Sequence, residues 1–199
     1  SPDGENWSKD PELFYAHDVG GSQDPCLLQL RDGTLLCASY AWTFMPPERV
    51  PHLKAPVHES KPGVVFCGGY YLKSVDGGKH WQGPFYPPSL PSETFLNPYG
   101  QPLPAYNRGA MMEGRDGRIF WVCAANECLA PRRAATHLLI SEDKGQSWRY
   151  SCPVASDAKV TFSETSLLET PSGDLVAFMR TNDFDDEACI ARSTDGGNS

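Results

Sequence analysis

Three charged residues, Asp24, Arg108 and Glu164, occupy the same position in three copies of a repeated sequence unit. If the copies fold alike around a common axis, symmetry brings these positions toward one another. Two carboxylates and one guanidinium facing one cavity would suit an anionic, polyhydroxylated ligand, because a guanidinium forms paired hydrogen bonds with anionic oxygens. The sequence leaves open the alternative that the three are solvated loop residues with ordinary ion pairs.

The repeated unit begins at each of these residues and aligns without gaps across its copies. In every copy an apolar pair follows three and four residues after the first position, and a turn glycine follows nine residues after it. An aliphatic run comes after the turn. A strand, a glycine-containing turn and a second strand together predict a β-hairpin. The copies span residues 24–35, 108–119 and 164–175, and the aliphatic runs span 35–40, 119–124 and 175–179.

A second motif repeats in phase with the first. Ser74–Trp81 matches Ser141–Trp148, and a third copy begins at Ser193–Gly197. Their shared pattern S-x-D-x-G-x-x-W is the Asp box, or BNR repeat, and Ser1–Trp7 is a relative that is one residue shorter. The Ser and Asp oxygens can accept hydrogen bonds from their own turn, the glycine supplies a positive φ, and the tryptophan packs under the hairpin. We therefore predict structural roles on outer hairpins for Asp76, Asp143 and Asp195.

Each unit thus contains four strands, since one strand precedes the Asp box and one carries its tryptophan. Repeated four-stranded antiparallel units predict an all-β fold of β-propeller blades. We expect residues 1–199 to form a single partial propeller domain, with blade one at about 24–87, blade two at about 108–153 and a truncated blade three from about 164. Residues 11–17 would be the outer strand of a preceding blade. Because a closed propeller needs about four blades or more, we expect a fragment comprising about three blades of a six-bladed propeller.

Composition excludes several classes of function. The net charge of −8 and the lack of a Lys/Arg cluster argue against nucleic acid as a partner. No apolar run approaches the length of a membrane span. The seven cysteines include no CxxC pair, so we expect no zinc site. We expect no other cofactor. Most cysteines should be reduced core residues, since free Cys behaves as a small hydrophobe.

One stretch, FSETSLLETPSGDLVAFMRT at residues 162–181, resembles the sialidase (neuraminidase) superfamily of Asp-box propellers. Members carry a Glu, aliphatic residues, a D/G turn, a hydrophobic strand and then an Arg about sixteen residues after the Glu. The resemblance implies that Glu164 polarises a tyrosine nucleophile and that Arg180 belongs to a triad that binds the sialic acid carboxylate. A tyrosine with a pKa near 10 needs such a neighbouring base to attack at neutral pH.

The sequence also departs from that superfamily. Members usually have Arg-Ile-Pro entering the first blade, whereas this chain has Gln23-Asp24-Pro25. No Asp occurs between Asp32 and Asp76, where the acid/base Asp of the family usually lies. Asp24 could take the acid/base role and Arg108 could replace the missing guanidinium. Other candidates for the acid/base role are Asp18 beside His17, and Glu48, His52, His58 and Glu59.

The resemblance implies a retaining exo-glycoside hydrolase that acts on terminal sialic acid or a related acidic sugar. Glu164 and Asp24 would be catalytic, and Arg180 and Arg108 would bind the carbohydrate substrate. The family's tyrosine nucleophile and third arginine would lie beyond Ser199, so the fragment alone is expected to be inactive. The resemblance slightly favours a secreted or periplasmic location. The alternatives are a non-catalytic Asp-box propeller that binds glycans or proteins, and a multi-blade scaffold.

Overall fold

A computed structural model of the chain describes residues 1, 3–53, 63–97, 100–106, 109–129, 132–185 and 187–199. The described residues are almost entirely β-strand, turn and loop. In chain order the strands are β1 (Gly21–Gln29), β2 (Leu35–Phe44), β3 (Val64–Ser74), β4 (Gln82–Phe85), β5 (Met112–Glu113), β6 (Ile119–Leu129), β7 (Arg132–Ser141), β8 (Arg149–Ala155), β9 (Thr161–Glu169), β10 (Leu175–Asn182) and β11 (Cys189–Ser193), with a short 3-10 helix at Val50–His52.

The strands form three antiparallel sheets in chain order. Sheet I contains β1 to β4, sheet II contains β5 to β8, and sheet III contains β9 to β11. Each sheet opens with the predicted hairpin, in which β1, β5 and β9 pair with β2, β6 and β10. The predicted all-β fold with four antiparallel strands per sheet is therefore confirmed for sheets I and II, and sheet III has three described strands. Residues 11–17 form no strand ladder within the described part of the chain.

Sheet II is covered on both faces. Along β6, Ile119, Trp121 and Cys123 belong to a core shared with Leu36 and Tyr71 of sheet I. The alternate residues Phe120 and Val122 belong to a second core, which includes Leu175 of sheet III. Successive side chains of a strand point to opposite faces, so a strand buried on both sides needs apolar residues at every position. This requirement explains the continuous apolar sequence of β6.

The Asp boxes form the turns that their sequence predicts. Ser74–Trp81 joins β3 to β4, and Ser141–Trp148 joins β7 to β8. In the second box, Asp143 Oδ1 accepts hydrogen bonds from the backbone N–H groups of Gln146 and Ser147 at 2.9 and 2.8 Å. Partial burial opposes ionisation of Asp143, but these bonds and those from the Ser147 and Ser141 hydroxyls outweigh it and hold its pKa at about 2. The predicted structural role on outer hairpins is confirmed for this box.

The shorter relative at the start of the chain forms the same turn. The backbone N–H of Gly4 donates to Ser1 Oγ at 2.9 Å, and the indole of Trp7 donates to the Gly4 carbonyl at 3.2 Å. The indole of Trp81 donates in the same way to the Gly78 carbonyl at 3.0 Å. Ser1–Trp7 is therefore a fourth Asp box, although it is one residue shorter.

Adjacent sheets are joined by equivalent polar contacts at their first turns. The backbone N–H of Arg31 donates to Glu113 at 2.8 Å, and that of Arg115 donates to Glu169 at 2.8 Å. Each arginine stands seven residues after the first position of its unit, and each glutamate stands five residues after it. The sequence repeat therefore produces equivalent hydrogen bonds between successive sheets. These bonds help to set the position of each sheet relative to the next.

Candidate functional site

Glu164 and Arg180 lie side by side at the start of the first hairpin of sheet III. The ladder between β9 and β10 shifts register between Met179 and Thr181, so Arg180 lies opposite two residues of β9, Ser163 and Glu164. Its Nη1 donates to Glu164 Oε1 at 3.0 Å, and the hydroxyl of Ser163 donates to Oε2 at 2.6 Å. The side chain of Arg180 is 60% exposed and that of Glu164 is 27% exposed. Both carboxylate oxygens therefore have a partner, while much of the guanidinium faces solvent.

Asp24 has a partner at the equivalent place in sheet I. The phenol of Tyr40 donates to Asp24 Oδ2 at 2.5 Å, and Tyr40 stands sixteen residues after Asp24, as Arg180 stands sixteen after Glu164. The β1–β2 ladder also shifts register here, between Gln23 and Cys26, and Asp24 has a φ of +50°. Left-handed backbone at a residue other than glycine is uncommon and is found disproportionately at functional sites.

A cavity of about 340 Å³ lies beside Arg180. It contains polar groups from β9 and from the end of β10, and an aromatic ring from the segment before β5. Its described lining residues are Tyr106, Ala124, Ala134, Thr161, Ser163, Arg180, Asn182 and Asp183.

Tyr106 connects this cavity to the Asp24 pair. It forms an antiparallel bridge with Ala124, and its ring centroid lies 5.7 Å from that of Tyr40. Tyr40, Ala124 and Arg180 occupy the same position in the three copies of the repeat. Two of these three residues, Ala124 and Arg180, therefore line the cavity, and Tyr40 packs against Tyr106 on its wall.

The other predicted site residues fall outside this arrangement or outside the described residues. Arg108, His58 and Glu59 are outside the described residues, so their predicted roles stay predictions. Glu48 and His52 are exposed and are not among the described residues that line the cavity. His17 and Asp18 lie elsewhere, since the ring of His17 packs against Tyr70 at 5.2 Å. Burial lowers the pKa of His17, and the charge of Asp18 opposes this effect.

Sequence reasoning missed Tyr40, Tyr106, Asn182 and Asp183. The sixteen-residue spacing would have identified Tyr40, because the same spacing relates Glu164 to Arg180. No comparable signal marks Tyr106, which lies in the proline-rich linker, or Asp183, which follows β10 in an acidic stretch.

No cluster of three or more His, Cys, Asp or Glu side chains that could hold a metal ion occurs among the described residues. Nor does the described part of the chain contain a helix with the length and apolar character that a membrane crossing requires.

Comparison with known proteins identifies the sequence family and the fold. The family model described as a BNR repeat-like domain matches residues 57–199. No curated protein sequence matches the chain. A crystal structure of a protein of unknown function from Dyadobacter fermentans DSM 18053 is 57% identical, with a TM-score of 0.95, over 100% of this chain and 54% of that one.

Two more distant structures are glycoside hydrolases by their names. The Hadza microbial sialidase Hz136 is 21% identical, with a TM-score of 0.61, over 90% of this chain and 32% of that one. A mutant of the alpha-L-arabinofuranosidase arb93a from Fusarium graminearum is 20% identical, with a TM-score of 0.53, over 87% of this chain and 45% of that one. At these identities the likeness shows the fold alone, which is a sialidase-type β-propeller. The chain spans about half or less of the length of these three proteins.

Proposed function

Because the chain belongs to the BNR repeat-like family, we propose that it is part of a retaining exo-glycoside hydrolase of sialidase type that releases a terminal acidic sugar. The observation that carries this proposal is the Glu164–Arg180 pair beside a cavity with a polar wall. Arg192 of the same sheet forms a similarly exposed ion pair with Asp174, so the feature that distinguishes Arg180 is its place on the wall of this cavity.

Arg180 is suited to bind the carboxylate of the sugar. Its one hydrogen bond to Glu164 uses one of the five N–H groups of a guanidinium. The remaining donors can form two parallel hydrogen bonds with a carboxylate, which are stronger than bonds between neutral groups. The contact with Glu164 also restricts the side chain, so less conformational entropy is lost when a ligand binds.

Glu164 is suited to activate a nucleophile rather than to act as one. Its carboxylate is oriented by Arg180 on one oxygen and by Ser163 on the other. A positioned carboxylate can accept the proton of a tyrosine as that phenol attacks the anomeric carbon. We propose that this tyrosine, together with further arginines of the anion site, comes from blades outside residues 1–199.

Asp24 and Arg108 complete the proposed site from the other two units. Asp24 would serve as the acid/base, positioned by its hydrogen bond from Tyr40. Arg108 would supply a second guanidinium from its equivalent place in the repeat.

We further propose that the chain forms about three blades of a six-bladed propeller, at about 24–87, 108–153 and from 164. A recurring contact supports this arrangement: β4 lies beside Gly145 of the next Asp box, and β8 lies beside Ser193 of the box that follows. In the same way, the ring of Phe14 packs at 5.1 Å on Trp81 of the box in sheet I. This contact supports the proposal that the segment after Ser1–Trp7 belongs to a preceding blade.

The test is turnover by the complete protein on a panel of sialosides, uronic acid glycosides and uncharged glycosides, with NMR to identify the anomer released first. We expect release of an acidic sugar with retained configuration. Arg180→Ala should weaken binding by about tenfold to a hundredfold, as for loss of a charge-assisted hydrogen-bonded contact. Glu164→Gln should lower kcat more than it raises KM.

A matched control is available in the same sheet. Arg192 pairs with Asp174 at 2.9 Å, and its side chain is 54% exposed, but neither residue is among the described residues that line the cavity. Arg192→Ala and Asp174→Asn should leave kinetics unchanged. Absence of turnover on every substrate, combined with glycan binding that Glu164→Gln does not alter, would instead establish a binding propeller.

A further inference from the structure

The cavity beside Arg180 has a second charged residue on its wall. Among its described lining residues, Asp183 is the acidic one. It stands directly after the last residue of β10, three positions beyond Arg180. The cavity therefore has a guanidinium and a carboxylate on its wall, with the Asn182 amide and the Thr161 hydroxyl as neutral polar neighbours.

The backbone presents Asp183 in an unusual way. Its φ is +64°, in the left-handed region that Asp and Asn tolerate better than most residues other than glycine. The preceding residue, Asn182, is paired with Thr161 across the ladder. The hydroxyl of Thr161 lies 3.5 Å from Asp183 Oδ2, which is at the long limit for a hydrogen bond. The strand end thus places the carboxylate at the cavity with one long contact, to Oδ2.

This difference separates Asp183 from the other carboxylates of the site. Glu164 accepts hydrogen bonds of 3.0 and 2.6 Å on its two oxygens, and Asp24 accepts one of 2.5 Å. An ionised carboxylate has about four lone-pair sites and can accept from two neighbouring hydroxyl groups at once. Vicinal hydroxyls of a sugar are donors of this kind.

We propose that Asp183 determines specificity by accepting hydrogen bonds from hydroxyl groups of the sugar that Arg180 binds. The ligand class is a monosaccharide unit that carries both a carboxylate and free hydroxyls. This inference deepens the proposed function and rests on it for the identity of the ligand. Asp183 would recognise the hydroxyl groups of the sugar. Arg180 binds the carboxylate and does not by itself discriminate between sugars that differ in their hydroxyl groups.

The experiment compares Asp183→Asn with Asp185→Asn in the complete protein. Asparagine keeps the size of the side chain and tolerates a left-handed backbone. Asp185 is a close control, because it is exposed in the same loop with a φ of +49° and is not among the described cavity residues. Isothermal titration calorimetry would measure binding of the methyl α-glycoside of N-acetylneuraminic acid and of analogues that each lack one hydroxyl. Thermal unfolding would verify that both variants fold.

We expect Asp183→Asn to weaken binding of the full glycoside by about tenfold or more, as for loss of hydrogen bonds to a charged group. For the analogue that lacks the recognised hydroxyl, the unsubstituted protein and Asp183→Asn should bind alike. Asp185→Asn should change neither affinity. The inference is overturned if Asp183→Asn resembles Asp185→Asn within about twofold, if it weakens all analogues equally, or if the unsubstituted protein does not bind the glycoside.

The readout is binding, so it separates this inference from the proposed function. Asp183-dependent binding without any turnover would support the inference and refute the hydrolase. Turnover that Asp183→Asn leaves intact on the full glycoside and on every analogue would support the hydrolase and refute the inference.

Discussion

Replacing Tyr40 by phenylalanine tests whether the pair in sheet I belongs to the functional site. The substitution removes one hydroxyl group and keeps the ring, which packs edge-on against Phe66 at 5.7 Å and beside Tyr106 at 5.7 Å. The ring is fully buried, so phenylalanine fits without a new cavity. The change therefore removes the 2.5 Å hydrogen bond from the phenol to Asp24 and keeps the ring packing.

The magnitude follows from the surroundings of the two partners. A hydrogen bond to a charged group contributes about 1.5–3 kcal/mol, and the full loss applies when the remaining partner is buried without another. Asp24 is exposed, so water can replace the phenol. We therefore expect the free energy of unfolding to fall by about 1.5 kcal/mol, at the lower end of that range. The left-handed backbone of Asp24 would also lose a contact that holds it.

Tyr70 provides the matched control. It is also buried, and its phenol donates to Ser22 Oγ at 2.6 Å in the same strand β1. Its ring packs on Tyr15 and His17, in a separate core cluster from that of Tyr40 and Tyr106. Tyr70→Phe should lower the free energy of unfolding by about 1 kcal/mol, as for a bond between neutral groups.

Urea denaturation and steady-state kinetics of the complete protein separate the two effects. The two variants should be destabilised to a similar extent. Only Tyr40→Phe should reduce kcat/KM, by about tenfold, which corresponds to about 1.4 kcal/mol of transition-state stabilisation. Equal kinetics for both variants would refute the reasoning, because the Asp24–Tyr40 pair would then have only a structural role.

Two further predictions concern stability. Burial lowers the pKa of His137, whose Nε2 lies 2.8 Å from the Ser92 hydroxyl, and the charge of Glu127 opposes this effect. The unfolded protein therefore binds more protons than the folded protein as the pH falls through about 6.5 and until the pH reaches the lowered pKa of the folded state. In this window the free energy of unfolding should decrease as the pH is lowered, by up to about 1.4 kcal/mol per pH unit. When the free energy of unfolding is measured by urea denaturation between about pH 7 and 5, it should depend less steeply on pH in His137→Gln. An unchanged pH dependence would show that His137 is not the group responsible. Asp143→Ala removes three hydrogen bonds to Oδ1 and one to Oδ2 and should lower the free energy of unfolding by about 1–2 kcal/mol. The neighbouring exposed Glu142→Ala should change it by about 0.5 kcal/mol or less, and equal effects would show that the Asp box is not stabilising.

The fold was predictable because it depends on patterns that repeat. The glycine nine residues after each unit start has φ of +89°, +86° and +93° at Gly33, Gly117 and Gly173, as a turn between two strands needs. The apolar run of β6 and the hydrogen-bonded side chains of each Asp box are likewise local requirements. Each copy confirms the others, so the prediction did not depend on any single propensity.

The site was only partly predictable, since its walls come from segments without a repeated pattern. Glu164 and Arg180 were identified by a resemblance, and the structure joins them in an ion pair. Tyr106 reaches the cavity because the linker before β5 forms a single bridge to Ala124, and no local sequence rule gives that path. Asp183 lies in an acidic stretch that would suit a solvated loop equally well, and its position depends on how sheet III packs against sheet II.

The repeat places side chains of different chemistry at equivalent backbone positions. Tyr40, Ala124 and Arg180 occupy one backbone position in three successive sheets, yet they supply a phenol, a methyl group and a guanidinium. Tyr106 forms a backbone bridge with Ala124, and Tyr106, Ala124 and Arg180 all line the cavity. The shared contacts between sheets keep the positions in register, so a substitution there changes chemistry without changing the scaffold. In any further copy of the unit, the residue sixteen positions after its start should therefore take the equivalent backbone position in its own sheet.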